Sequence, residues 1–190
     1  MAKRRRRRIV RFRWAAGCLG LFVIAWLYGY WVPFPYRPTI VAAARQNHLS
    51  PYLVAAVIRV ESRFQKRALS QRGAEGLMQI MPTSALWITT KVNWSGKPNL
   101  YDPLTNIHLG TWYLHYLLTS YHGNQVLALA AYNGGPETVA RWIQTGVLSS
   151  AQTRYESIPY PETKNFVRRV QQFEAVYQVM YVFLSFGKHF

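Results

Sequence analysis

The sequence predicts a mainly α-helical single domain preceded by a transmembrane helix. Three features carry that expectation: a charge-free apolar run near the N-terminus, the helix-opening pairs Ser50-Pro51 and Asp102-Pro103 farther on, and the lack of alternating strand patterns or internal repeats.

From Trp14 to Tyr36 there is no charged residue, and residues 19–27 are strongly apolar. At about 1.5 Å per helical residue, some twenty residues span the roughly 30 Å hydrocarbon core. Residues 14–32 are therefore read as an anchor. Eight of the 23 lysines and arginines (Lys3, Arg4, Arg5, Arg6, Arg7, Arg8, Arg11 and Arg13) precede it, and Tyr28, Tyr30 and Trp31 stand where an outer aromatic belt would lie. The positive-inside rule then makes residues 1–13 a basic cytoplasmic arm and sends the rest outward across the cytoplasmic membrane in a single pass. A cleaved signal peptide is the rival reading, but the stretch from Trp26 to Pro33 lacks the small-residue pair that such a cut requires. Cys18, the single cysteine, can form neither an internal disulfide nor a metal site. It also stands at the start of the apolar run, whereas a lipid-attachment cysteine follows one.

Beyond the arm the chain carries 15 basic and 7 acidic residues, a balance of +8. Such a surface attracts anionic polymers or lipid headgroups, or is simply a solvated basic face. Nucleic acid is not expected as a partner, because its binding by the arm requires the arm to be both cytoplasmic and free.

Residues 33–38, with Pro33 and Pro35, read as a linker, and residues 39–190 as the outward domain. A short helix is expected over 39–48. Ser50 caps a second helix over 51–62, opened by Pro51. Asp102 and Pro103 open a longer one to about Tyr121, with Gly123 at its C-terminal end. Residues 124–133 form the next, stopped by Gly134-Gly135-Pro136; 137–144 is short, and 162–186 is a long terminal helix.

The chain has seven carboxylates, so each can be weighed singly. Glu61 shares a stripe with Val54, Val57 and Ile58 at helical spacing, which turns it toward the core. Burial and the negative end of the helix dipole both raise its pKa and suit it to act as a general acid. An ordinary ion pair with Arg59 or Arg63 is the alternative. Asp102 reads as a cap and Glu137 as first-turn surface. No partner carboxylate is evident, so the two-carboxylate scheme of most glycosidases is not visible.

Five segments carry a resemblance. They are Glu61-Ser-Arg-Phe64, Ala68-Leu-Ser-Gln-Arg-Gly-Ala-Glu-Gly-Leu-Met-Gln-Ile-Met-Pro82, Asp102-Pro-Leu-Thr-Asn-Ile107, Ala130-Ala-Tyr-Asn-Gly-Gly-Pro136 and Ile158-Pro-Tyr-Pro-Glu-Thr-Lys-Asn-Phe-Val167. In order and spacing they resemble the catalytic domain of the soluble lytic murein transglycosylases across roughly residues 40–180. The resemblance implies a lysozyme-like single domain in which Glu61 is the catalytic residue, first acid and then base. It implies cleavage of peptidoglycan between N-acetylmuramic acid and N-acetylglucosamine, with the muramic 6-hydroxyl closing a 1,6-anhydro ring. No second carboxylate is then needed, because the nucleophile belongs to the substrate.

The resemblance also implies roles around Glu61. Ser62 orders the turn after the acid, Ser70 turns its hydroxyl to the carboxyl, and Tyr132 donates a hydrogen bond that orients it. Met78, Gln79, Asn133 and Tyr160 line the substrate groove. From the residues alone, Gln79 reads as a sugar contact or a buried structural amide, Met78 as groove wall or core, and Tyr132 as a core aromatic. Glu162 reads as a helix-starting residue. Phe166 stands where the family usually has tyrosine, so a phenol hydrogen bond is lost there. Trp87, Trp94, Trp112 and Trp142 fit either sugar stacking or the core.

Two other functions fit the same fold: a muramidase resembling goose-type lysozyme, which admits water, and a wall-binding protein without useful turnover. Neither a metal cluster nor a phosphate-binding glycine loop is evident in the sequence, so no cofactor is implied.

Overall fold

The computed structural model describes residues 34–151 and 154–186. The basic arm and the transmembrane segment expected over 14–32 lie outside those residues. Contacts divide the chain between Pro35 and Tyr36. Among the described residues no helix is long and apolar enough to cross a membrane.

The described residues form seven α-helices in order, α1 (Arg37–Gln46), α2 (Pro51–Glu61), α3 (Pro82–Thr89), α4 (Pro103–Ser120), α5 (Gln125–Gly134), α6 (Pro136–Gln144) and α7 (Pro161–Phe186), with a single 3-10 turn among them at Tyr155–Ser157. The described residues contain no β-strand, only isolated bridges that pair Glu75 with Leu69 and with Ile80. The chain is mainly α.

Local chemistry explains the helix starts. The Ser50 hydroxyl accepts from the amides of Tyr52 and Leu53 at 3.2 and 3.4 Å, and Asp102 Oδ2 accepts from the Thr105 amide at 2.8 Å. Asn124 accepts from the Leu127 amide at 3.2 Å. Each satisfies donors that a helix leaves open in its first turn. The first helix begins at Arg37, inside the stretch expected to be linker, because Pro38 suits a first helical turn. Helix α3 was not expected. Its N-cap is Met81, whose side chain makes no capping bond, so Pro82 was the only start signal.

The core is built on α2, where Leu53, Val54, Ala55, Ala56, Val57 and Ile58 are all buried. The most extensive packing between elements is that of α2 on α7, through buried residues of α7 that include Val167, Val170 and Tyr177. Helix α5 is the other central element, packing against α4, α6 and α7. The last turns of α2 and α5 carry Glu61 and Tyr132.

Candidate active site

Glu61 is the last residue of α2, one turn beyond the fully buried Val57 and Ile58. Burial pushes its carboxyl up to about 8, and the negative charge of Glu162 adds to the shift. The ion pair with Arg59 or Arg63 is not formed. Arg59 lies over the Phe173 ring at 5.5 Å instead, and Arg63 is exposed with a φ of 53°. Glu61 is therefore a neutral acid at pH 7.

The residue after it ties the helix end to the loop. Ser62 is buried, and its hydroxyl lies 2.7 Å from the Leu77 carbonyl and 3.2 Å from that of Ile58. The loop from Ala68 to Ile80 is itself folded on Gly76, whose φ is 78°. A side chain at Gly76 would collide with the Leu100 carbonyl and the Asn106 amide. Asn106, fully buried on α4, holds the loop by two bonds and the Leu100 carbonyl by a third. Its Oδ1 accepts from the Met78 amide at 2.7 Å, and its Nδ2 donates to the carbonyls of Leu100 and Glu75 at 2.8 and 3.0 Å. The motif Asp102–Ile107 contains Asn106 without revealing its task; an amide-bearing residue on the buried side of a helix is the only signal of it.

Tyr132 is held from three sides. Its hydroxyl donates to the Met78 carbonyl at 2.7 Å. Phe166, itself buried, stacks parallel to it at 6.3 Å, and Tyr113 tilts against it at 5.6 Å. Burial raises the phenol well above its usual range, and the charge of Glu61 raises it further, which places the two groups within electrostatic reach. The Tyr132 proton goes to Met78 and not to Glu61. At Phe166 the structure has a ring stack in place of a phenol hydrogen bond.

The expected groove residues are placed unevenly. Met78 is fully buried against Gly110 and Thr111, so its side chain is core and not an open wall. A Cβ at Gly110 would lie 2.5 Å from the Met78 sulfur. Gln79, at a φ of 50°, donates through Nε2 to the carbonyls of Gly76 and Ala68 at 2.8 and 3.2 Å. That leaves Oε1 as its free polar atom. The Ser70 hydroxyl accepts from the Ala74 amide at 2.9 Å and closes a turn, in place of the contact with the carboxyl. Asn133 is half-buried beside Tyr132. Tyr160 is 52% exposed and meets the buried Trp142 edge-on at 4.9 Å.

Glu162 is the carboxylate whose proximity to Glu61 the sequence did not reveal. It sits in the first turn of α7 and pairs with Arg72 at 3.2 Å, both side chains exposed. Only the docking of α7 on α2 brings its charge near the acid, a contact between segments some hundred residues apart.

The fold and the site define a mainly helical domain whose shielded carboxylic acid, Glu61, ends a core helix. The chain belongs to the Transglycosylase SLT domain family, whose profile matches residues 38–152. It is 35% identical over 151 residues to the soluble lytic murein transglycosylase of Salmonella typhimurium, covering 77% of this chain and 23% of that protein. It is 33% identical over 128 residues to membrane-bound lytic murein transglycosylase C of Photorhabdus laumondii, covering 62% and 36%. Among solved structures it resembles an inactive mutant of the lytic transglycosylase Slt from Pseudomonas aeruginosa, with a TM-score of 0.72 and 32% identity over 80% of this chain and 25% of that one. The chain thus spans about a quarter of the length of the Salmonella typhimurium and Pseudomonas aeruginosa proteins.

Proposed function

We propose that the chain is a lytic transglycosylase that cuts peptidoglycan strands between N-acetylmuramic acid and N-acetylglucosamine and leaves a 1,6-anhydromuramic end. The observation that carries this reading is Glu61 itself, a carboxylic acid raised to about 8 by burial at the end of α2. A donor of that strength is protonated at neutral pH and can give its proton up in a transition state.

Glu61 protonates the glycosidic oxygen, the bond from that oxygen to muramic C1 breaks, and the glucosamine leaves as an alcohol. The muramic 6-hydroxyl then attacks C1, forming the anhydro ring, and its proton returns to the Glu61 carboxylate. The sum is an intramolecular transfer in which water takes no part. Tyr132 forms a rigid wall beside the acid, locked by Met78 and Phe166. Asn133 and Gln79 Oε1 face acetamido and hydroxyl groups, Tyr160 borders the groove, and Ser62 and Ser70 brace the loop that frames it. The apolar run 14–32 anchors the domain on the outer face of the cytoplasmic membrane.

Hydrolysis remains the second reading because Glu162 is a carboxylate within electrostatic reach of Glu61 and could activate a water. Mass spectrometry of digested peptidoglycan decides between them. The transglycosylase releases a product lighter by one water than the muramidase product. Glu61→Gln lowers release by about a thousandfold in either case, and turnover that survives this change removes Glu61 from the chemistry.

A further inference from the structure

Helix α7 changes character along its length. Its first turns carry Glu162, Lys164, Arg168 and Arg169, whereas the sequence from Ala175 to Phe186 has no charged residue, although the helix runs to Phe186. Tyr177 in this stretch is fully buried. The neighbouring Val176 and Val179, three residues apart and so on one side of the helix, leave 39% and 57% of their surface in water. Ala175 between them and the preceding turn is exposed as well. A solvated helix face carries polar residues, and this one is apolar.

The same end of α7 lies where the chain enters the domain. The Arg37 guanidinium sits over the Tyr181 ring at 5.2 Å, and Tyr181 tilts against Tyr177 at 6.0 Å. Arg37 is the first residue of α1 and is exposed, and only residues 33–36 separate it from the apolar run over 14–32. The stretch from residue 32 to Arg37 reaches at most about 18 Å. An apolar helix face flanked by a guanidinium and a phenol has the make-up of an element that settles between lipid headgroups and acyl chains.

Resting on the anchor over 14–32 proposed above, we propose that the C-terminal turns of α7 make a second contact with the bilayer. Val176 and Val179 enter the boundary between headgroups and acyl chains of the outer leaflet, with Arg37 and Tyr181 at headgroup level. The short connection keeps Tyr181 close to lipid, and the valines then exchange water for hydrocarbon. Two valines are too small a patch to hold the domain on lipid without the anchor. The contact therefore orients the domain on the membrane, which a tether alone does not do.

The test uses the full chain with Cys18→Ser, reconstituted into vesicles of phosphatidylglycerol and phosphatidylcholine. A polarity-sensitive fluorophore is attached through Val176→Cys, Val179→Cys or, as an exposed apolar site outside the patch, Leu104→Cys. Flotation reports the anchor, quenching by spin-labelled lipid reports the contact, and thermal unfolding checks each labelled fold. All three proteins float, and the probes at 176 and 179 shift to the blue and are quenched at least about twice as strongly as the probe at 104. Protein that floats with all three probes quenched alike overturns the α7 contact and leaves the anchor standing. A blue shift at 176 and 179 without lipid quenching also overturns it and assigns the face to a second copy of the chain or another protein. Protein that does not float removes the anchor and, with it, the contact that rests on it.

Discussion

Burial lifts the Glu61 carboxyl from 4.5 to about 8, and that shift governs stability as well as turnover. Between those values the folded protein holds a proton that the unfolded chain has released. The contribution of this group to stability is complete below about pH 4.5 and is lost as pH rises toward 8, by about 1.4 kcal/mol per pH unit. Glu61→Gln removes the titration, so its stability relative to wild type grows by about 2–4 kcal/mol between pH 5 and pH 8. Thermal unfolding at the two pH values measures this, and an equal difference at both contradicts the assignment. In the wild type kcat/KM falls above about pH 8 as the acid loses its proton. The position of Glu61 was legible because Val54, Val57 and Ile58 share its helical stripe. What Ser70 and Met78 do was not, because the Ala74 amide that Ser70 binds and the glycine that Met78 packs on become neighbours only in the folded loop.

Among the elements, α4 both holds the active-site loop through Asn106 and accommodates Met78 in a notch at Gly110. Gly110→Ala places a methyl group against the Met78 side chain and its sulfur. Overpacking of this kind costs about 1–3 kcal/mol. Because Met78 also bears the carbonyl that receives Tyr132, the same variant lowers kcat, and Met78→Ala in that background recovers part of it. Denaturant unfolding together with turnover tests this, and a variant matching wild type in both would show that the notch can relax. Helix starts marked by Ser50, Asp102 and Asn124 were readable because each cap is local chemistry. Helix α3 was not, since Met81 offers no acceptor and the apolar stretch before Pro82 belongs to a loop held by distant residues.

At the scale of the whole chain, 8 of 23 basic residues precede residue 14 and a charge-free run follows, which leads to a fractionation prediction. Removing residues 1–33 moves the protein from the membrane fraction to the soluble fraction and leaves cleavage of purified peptidoglycan within about a factor of two, as expected when the removed segment supplies none of the proposed site residues. A truncated protein that still sediments with membranes contradicts an anchor in that segment. The helical class was legible from the pattern of caps and proline starts. The packing of α2 on α7, which brings the Glu162 charge within reach of Glu61, was not, because no local signal pairs residues 51–61 with 161–186.

That late pairing has a consequence for biosynthesis. A nascent chain exposes Glu61 long before the C-terminal helix has been made. Until that helix docks, the side chain lacks the neighbouring Glu162 charge that helps to raise its pKa. The acid therefore gains its full shift only once the helix over 161–186 has packed on the one over 51–61.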